Sequence, residues 1–112
     1  MAKLEHVLLG NFDELLTYFT EGLLSTSKTA SVEETSDFTF AGARSCTRVF
    51  ERYSYTGQNR VSLCLTLFQS DGGPIFVGAI TAASGGGYRK PVGDTVSDRT
   101  FLDKFKELLP KE

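Results

Sequence analysis

The spacing of apolar residues predicts one helix near each end of the chain. Between Phe12 and Leu24 the apolar side chains recur every three or four residues, which is typical of an amphipathic helix. Asn11 can cap this helix, and Glu14 follows three residues later as in a capping box. A closing helix is predicted to start with a capping box at Thr100 and to stop at Pro110. Its buried stripe consists of Phe101, Leu102, Phe105, Leu108 and Leu109.

Outside these two segments the apolar period shifts toward two, which indicates β-strands. One strand precedes the first helix, and four lie between the helices. The polar one, over residues 29–35, is expected at a sheet edge, where such a pattern is tolerated. Compact turns are predicted at residues 56–59 and 71–73. The other predicted strands cover residues 3–9, 43–55, 60–70 and 74–83.

The order β-α-β-β-β-β-α predicts an α+β fold with a mainly antiparallel sheet. Two amphipathic helices bury their apolar stripes most simply by packing together on one face of that sheet. The 112 residues suffice for one domain spanning positions 1–112 and not for two. This order resembles the TATA-binding-protein-like and helix-grip arrangements, and such a resemblance implies topology without function.

The strand over residues 43–55 could turn either of its faces toward the helices. Its even positions carry Arg44, Cys46, Arg48, Phe50 and Arg52. Burying three arginines under apolar helices would be costly without partners. We therefore expect Val49 and Tyr53 to face the helices together with Leu63 and Leu65, and the arginines to project from the opposite face.

Arginines interleaved with an aromatic ring form the most informative surface that the sequence predicts. A solvated sheet face is the plainest interpretation, because arginine stems can cover apolar neighbours. Arginine and aromatic residues are also enriched in interface hot spots. We therefore expect a non-enzymatic interaction module that forms a homodimer, or binds an unidentified protein. The predicted interaction face consists of Arg44, Arg48, Phe50, Arg52 and Phe68.

Two further functions compete with self-association. A helix-grip domain could bind a small molecule in a cavity between sheet and helices, with Glu51 and Tyr53 lining it. Nucleic-acid binding by the arginine row is disfavoured, because the net charge is -2 and the pI is about 5.4.

The scarcity of histidine and cysteine argues against catalysis and metal binding. His6 is the one histidine, and Cys46 and Cys64 have neither zinc-type spacing nor partners for a disulfide framework. We expect no catalytic, cofactor-binding or metal-ligating residue. The chain shows no signal peptide and no apolar run of membrane-spanning length, so a cytoplasmic protein with reduced thiols is expected. The glycine-rich run at residues 84–87 lacks the helix that a phosphate loop needs.

Three stretches carry a resemblance to a known family: residues 10–16, 51–63 and 101–105. Together they resemble an uncharacterised family of short bacterial proteins, a domain of unknown function. The resemblance implies a bacterial, cytoplasmic, single-domain protein. It implies no activity, cofactor or site residue.

Overall fold

A computed structural model of the chain describes residues 1–54, 59–84 and 96–110. In these residues the chain forms five strands and two helices in the order β-α-β-β-β-β-α. The α+β prediction is therefore confirmed. The elements are β1 (Ala2–Leu8), α1 (Phe12–Leu24), β2 (Ser31–Phe40), β3 (Ala43–Ser54), β4 (Asn59–Ser70), β5 (Ile75–Ser84) and α2 (Val96–Leu108).

The strands form one antiparallel sheet in the order β1-β5-β4-β3-β2. Strands β2 to β5 follow one another as a meander, and β1 adds to the far side of β5. β2 is an edge strand, as its polar pattern predicts, but it extends to Phe40, well beyond residue 35. Residues 32–40 of this strand are exposed.

The core lies between the sheet and the two helices, which pack on the same face. Phe19 and Leu23 of α1 and Phe101 and Phe105 of α2 are fully buried there. The rings of Phe19 and Phe105 lie 5.1 Å apart at a tilted angle, which is a favoured aromatic geometry. β4 contributes the centre of the sheet side through Val61, Leu63, Leu65 and Leu67, all fully buried.

The helix starts follow the sequence prediction in one case and depart from it in the other. The Asn11 side chain accepts a hydrogen bond of 2.9 Å from the Glu14 amide, so the predicted cap of α1 is confirmed. α2 begins at Val96, and the predicted start at Thr100 is wrong.

Two tight turns at one end of the sheet set the register of the long strands. Ala41 and Gly42 both have positive φ and pair Phe40 with Ala43, as in a two-residue hairpin whose turn matches the strand twist. Asp71 and Gly72 also have positive φ, which confirms the predicted hairpin turn there. The Asp71 amide donates to the Gly42 carbonyl over 2.9 Å, so the two turns are joined. The predicted turn at 56–59 (apart from Asn59) and glycines 85–87 lie outside the described residues.

Candidate functional site

The register between β3 and β4 decides which side chains of β3 face the helices. Phe50 lies opposite Leu63, Arg52 opposite Val61, and Cys46 opposite Leu67. Because directly paired residues project to the same face, the even positions of β3 face the helices. Phe50 is fully buried, and the predicted orientation of this strand is wrong. We call the helix-covered side the inner face and the opposite side the outer face.

Arg44 reaches the inner face at the end of the sheet near the start of α1. Its guanidinium lies 4.1 Å from the centre of the Phe12 ring. The same group donates to both carboxylate oxygens of Asp13, over 3.2 and 3.0 Å. The Asp13 hydrogen bond is the main cause that raises the pKa of Arg44. This arginine therefore has both an aromatic platform and an acidic partner.

Arg48 lies in the middle of β3 and pairs with the edge strand. It donates to both carboxylate oxygens of Asp37 on β2, over 2.5 and 3.3 Å. The hydrogen bond from Arg48 lowers the pKa of Asp37. Cys46 beside them is buried, and burial is the main cause that raises its pKa. The pair lies where β2 extends past the helices, so it keeps contact with solvent.

Arg52 differs from the other two arginines because it has no acidic partner among the described residues. Only 9% of the residue is exposed. Its guanidinium lies 4.4 Å from the centre of the Phe101 ring on α2. Burial lowers the pKa of Arg52. Among the side chains that the structure describes, the Phe101 ring is the group that supports this buried positive charge.

These contacts explain why the sequence argument about the arginines fails. Its premise is that a buried arginine needs a partner, and the partners come from distant parts of the chain, namely Asp13 on α1 and Asp37 on β2. Arginine stems also pack on apolar surface while their heads reach the rim. The predicted interaction face is therefore split: Arg44, Arg48, Phe50 and Arg52 face inward, and Phe68 faces outward.

The outer face of the sheet is not covered by the helices and carries large apolar side chains in one row. Pairing partners align one residue from each strand: Val7, Phe76, Phe68, Ser45 and Phe38. Phe68 is 40% exposed and Phe38 is 72% exposed. Phe40, two residues after Phe38 on the same face, is 84% exposed. Four of the five strands thus present an exposed apolar residue in this row.

A second row on the same face lies four residues away along each strand. Its charged residues are only at its two ends. It consists of Lys3, Ile80, Cys64, Val49 and Glu34. The row between the two contains Gly78, where the missing side chain leaves open space. A depression of about 590 Å³ lies over this glycine, with Cys64, Phe68, Phe76 and Ile80 among its lining residues. The same middle row carries Thr66 and Thr47, so the outer face has polar positions between two apolar rows and charged residues at the edges of the sheet.

Glu51 and Tyr53 also lie on the outer face. Glu51 pairs with Ser62 across the strands, and its carboxylate accepts two hydrogen bonds from Arg60, over 2.9 and 2.6 Å. Tyr53 pairs with Arg60 and is 36% exposed. Their predicted position in a cavity between sheet and helices is therefore wrong, because the one-residue change of face moves both away from the helices.

Chemistry-bearing groups are sparse in the described part of the chain. His6 is half-buried on β1. Among residues 1–54, 59–84 and 96–110, no three His, Cys, Asp or Glu side chains converge as a ligand set for a metal ion. Neither α1 nor α2 has the length and apolar character to cross a membrane.

Comparison with known proteins places the chain in a family. The model of DUF6054, a family of unknown function, matches residues 1–111. The chain belongs to this family. No curated protein and no solved structure gives a significant match. Membership in DUF6054 confirms the resemblance to a family of unknown function.

Several outer-face residues do not enter the sequence prediction, although a signal for them exists. Phe76 and Ile80 have the opposite parity to the buried Val77 and Ala79 on β5. Phe38 and Phe40 share a parity on β2. β5 is thus apolar at both parities, a pattern that is typical of a strand covered on both faces.

Proposed function

We propose that this protein is a non-enzymatic interaction module that forms a homodimer through the outer face of its sheet. The observation that carries the proposal is the row of exposed apolar residues across β1, β5, β4 and β2. Clusters of exposed apolar residues on a protein surface mark interaction sites, and here only Ser45 interrupts the row. We keep the predicted self-association, but the surface that we propose for it is the outer face and not the arginine-bearing inner face.

The size of the outer face supports a second copy as the partner. Five strands spaced ~4.8 Å apart and about ten residues long with a rise of ~3.3 Å cover on the order of 800 Å². That is the area each partner contributes to a standard interface. Two sheets can stack face to face about 10 Å apart, with interdigitating side chains, as in a β-sandwich.

The charges at the rim support a two-fold arrangement. Lys3 on β1 and Glu34 on β2 end the same row at opposite edges of the sheet. A two-fold axis parallel to the strands places the β1 edge of one copy over the β2 edge of the other. Each Lys3 then meets the partner's Glu34, so the face is complementary to itself, as an isologous interface requires.

Light scattering coupled to size exclusion tests the dimer. The wild type should elute with twice the chain mass, and Phe68→Asp should yield a folded monomer, because a carboxylate in the middle of the apolar row cannot be desolvated without a partner. Tyr18→Asp on the exposed side of α1 is the matched control and should leave the dimer intact. A monomeric wild type at high concentration would contradict the proposal, as would a Phe68→Asp dimer.

A charge exchange tests the two-fold axis and separates a second copy from other partners. Lys3→Glu and Glu34→Lys alone should each weaken the dimer, because like charges would then face each other. The variant with both changes should regain most of the lost affinity. If the double variant is weaker than either single one, the two residues do not meet and the proposed axis is wrong.

A further inference from the structure

We infer that Arg52 is the centre of a binding site for a small oxyanion, a carboxylate or a phosphate group. The site lies on the inner face, where β3 and β4 meet the N-terminal half of α2. It is separate from the outer face, and its existence does not depend on the proposed dimer.

Three arginines lie on the same strand and the same face, and only two of them have an acidic partner among the described side chains. Arg44 and Arg48 each hold a carboxylate with two hydrogen bonds. Arg52 is more buried than either, yet no described residue gives it a carboxylate or another acceptor. An uncompensated buried charge is strongly unfavourable, so the position is costly unless an anion neutralises it.

The geometry around Arg52 selects the kind of anion. The Phe101 ring covers one face of the guanidinium, and its neighbours Phe50 and Val61 offer no acceptor through their side chains. Within the described part of the chain no acceptor is bonded to the planar edges of the guanidinium, so we expect a ligand to bind there. A guanidinium edge presents two parallel N–H groups, whose spacing matches the two oxygens of a carboxylate or a phosphate.

Thermal unfolding in the presence of anions tests the site. Sodium phosphate and sodium acetate are added separately to the wild type, with sodium chloride at equal ionic strength as the reference. At least one oxyanion should raise the Tm by about 5 °C at roughly ten times its dissociation constant. The stronger of the two identifies the preferred group. A wild-type Tm that responds no more than in chloride would overturn the inference.

Two variants make the test specific. Arg52→Met keeps an apolar stem over Phe101 and should lose the Tm increase. Arg44→Met removes an arginine of equal charge, also stacked on an aromatic ring, and should keep the full increase. An Arg52→Met protein that responds like the wild type would overturn the inference.

Nuclear magnetic resonance decides the question if Arg52→Met does not fold. On addition of phosphate or acetate to the wild type, the Nε–H resonance of Arg52 should shift more than those of Arg44 and Arg48. These two already have carboxylate partners, so they report general ionic effects. Equal shifts at all three arginines would mean that no site exists at Arg52.

Discussion

Each face of this sheet carries residues that are more usual on the other face. The inner face, which the helices cover, carries Arg44, Arg48 and Arg52. The outer face, which the helices leave open, carries Phe38, Phe68 and Phe76 in one row. The contrast teaches that side-chain type alone does not identify the covered face of a strand.

The two faces accommodate these residues differently. The inner face holds its arginines with aromatic rings and with carboxylates from other elements, so most of their charge is compensated inside the chain. On the outer face the rings of Phe68 and Phe76 lie 6.3 Å apart, and both remain exposed. The two proposals follow from this difference: an anion at Arg52, and an apolar partner across the outer face.

Truncation of one phenylalanine on each face should give the largest contrast. Phe50→Ala should lower the free energy of unfolding by about 3–5 kcal/mol, because it opens a cavity in a fully packed core. Phe68→Ala in dilute protein should cost less than about 1 kcal/mol, because the ring is half exposed. Urea unfolding followed by circular dichroism measures both. Equal losses would mean that the two faces are not distinguished by burial.

The two cysteines lie on opposite faces, so their rates of alkylation should differ. Cys46 lies buried on the inner face with a raised pKa, and Cys64 lies half-buried in the outer depression. Iodoacetamide should therefore modify Cys64 at least about tenfold faster than Cys46, which must wait for unfolding. Mass spectrometry of digested samples measures the two rates. In urea the rates should converge, and faster modification of Cys46 in the folded protein would refute the face assignment.

Sequence reasoning predicts the fold far better than the site, for physical reasons. Element order follows from local periodicity and from caps such as Asn11, which act over a few residues. The face of β3 depends on register, and a change of one residue exchanges its two sets of side chains. The buried parity of β3 carries a weak signal, since Cys46 and Phe50 share it, but the arginines obscure it. Their partners Asp13 and Asp37 are distant in sequence and become visible only in the fold.

Replacing the two stacked arginines should shift stability in opposite directions. Arg44→Met loses a bidentate pair and should lower the free energy of unfolding by about 0.5–1 kcal/mol. Arg52→Met removes a desolvated charge without a partner, so stability should be unchanged or higher by up to about 1 kcal/mol. Urea unfolding in chloride buffer, without added oxyanions, makes the comparison. A loss of several kcal/mol at Arg52→Met would show that the chain itself supplies a carboxylate there.

The smallest effect is expected at the partly exposed pair of Arg48 and Asp37. Because the folded state lowers the pKa of Asp37, its contribution is present above the ordinary carboxyl pKa of about 4 and is lost as the pH falls through the folded value. Asp37→Asn should therefore be less stable than the wild type at pH 7 by less than about 1 kcal/mol, since half of the Asp37 side chain is exposed. The difference should shrink in urea titrations below pH 4.

A double-mutant cycle attributes that pH effect to the pair. Arg48→Met should remove most of the pH dependence of stability that Asp37→Asn removes. The variant with both changes should show little further loss of pH dependence. If Asp37→Asn flattens the profile equally with and without Arg48, the carboxylate is stabilised by another group.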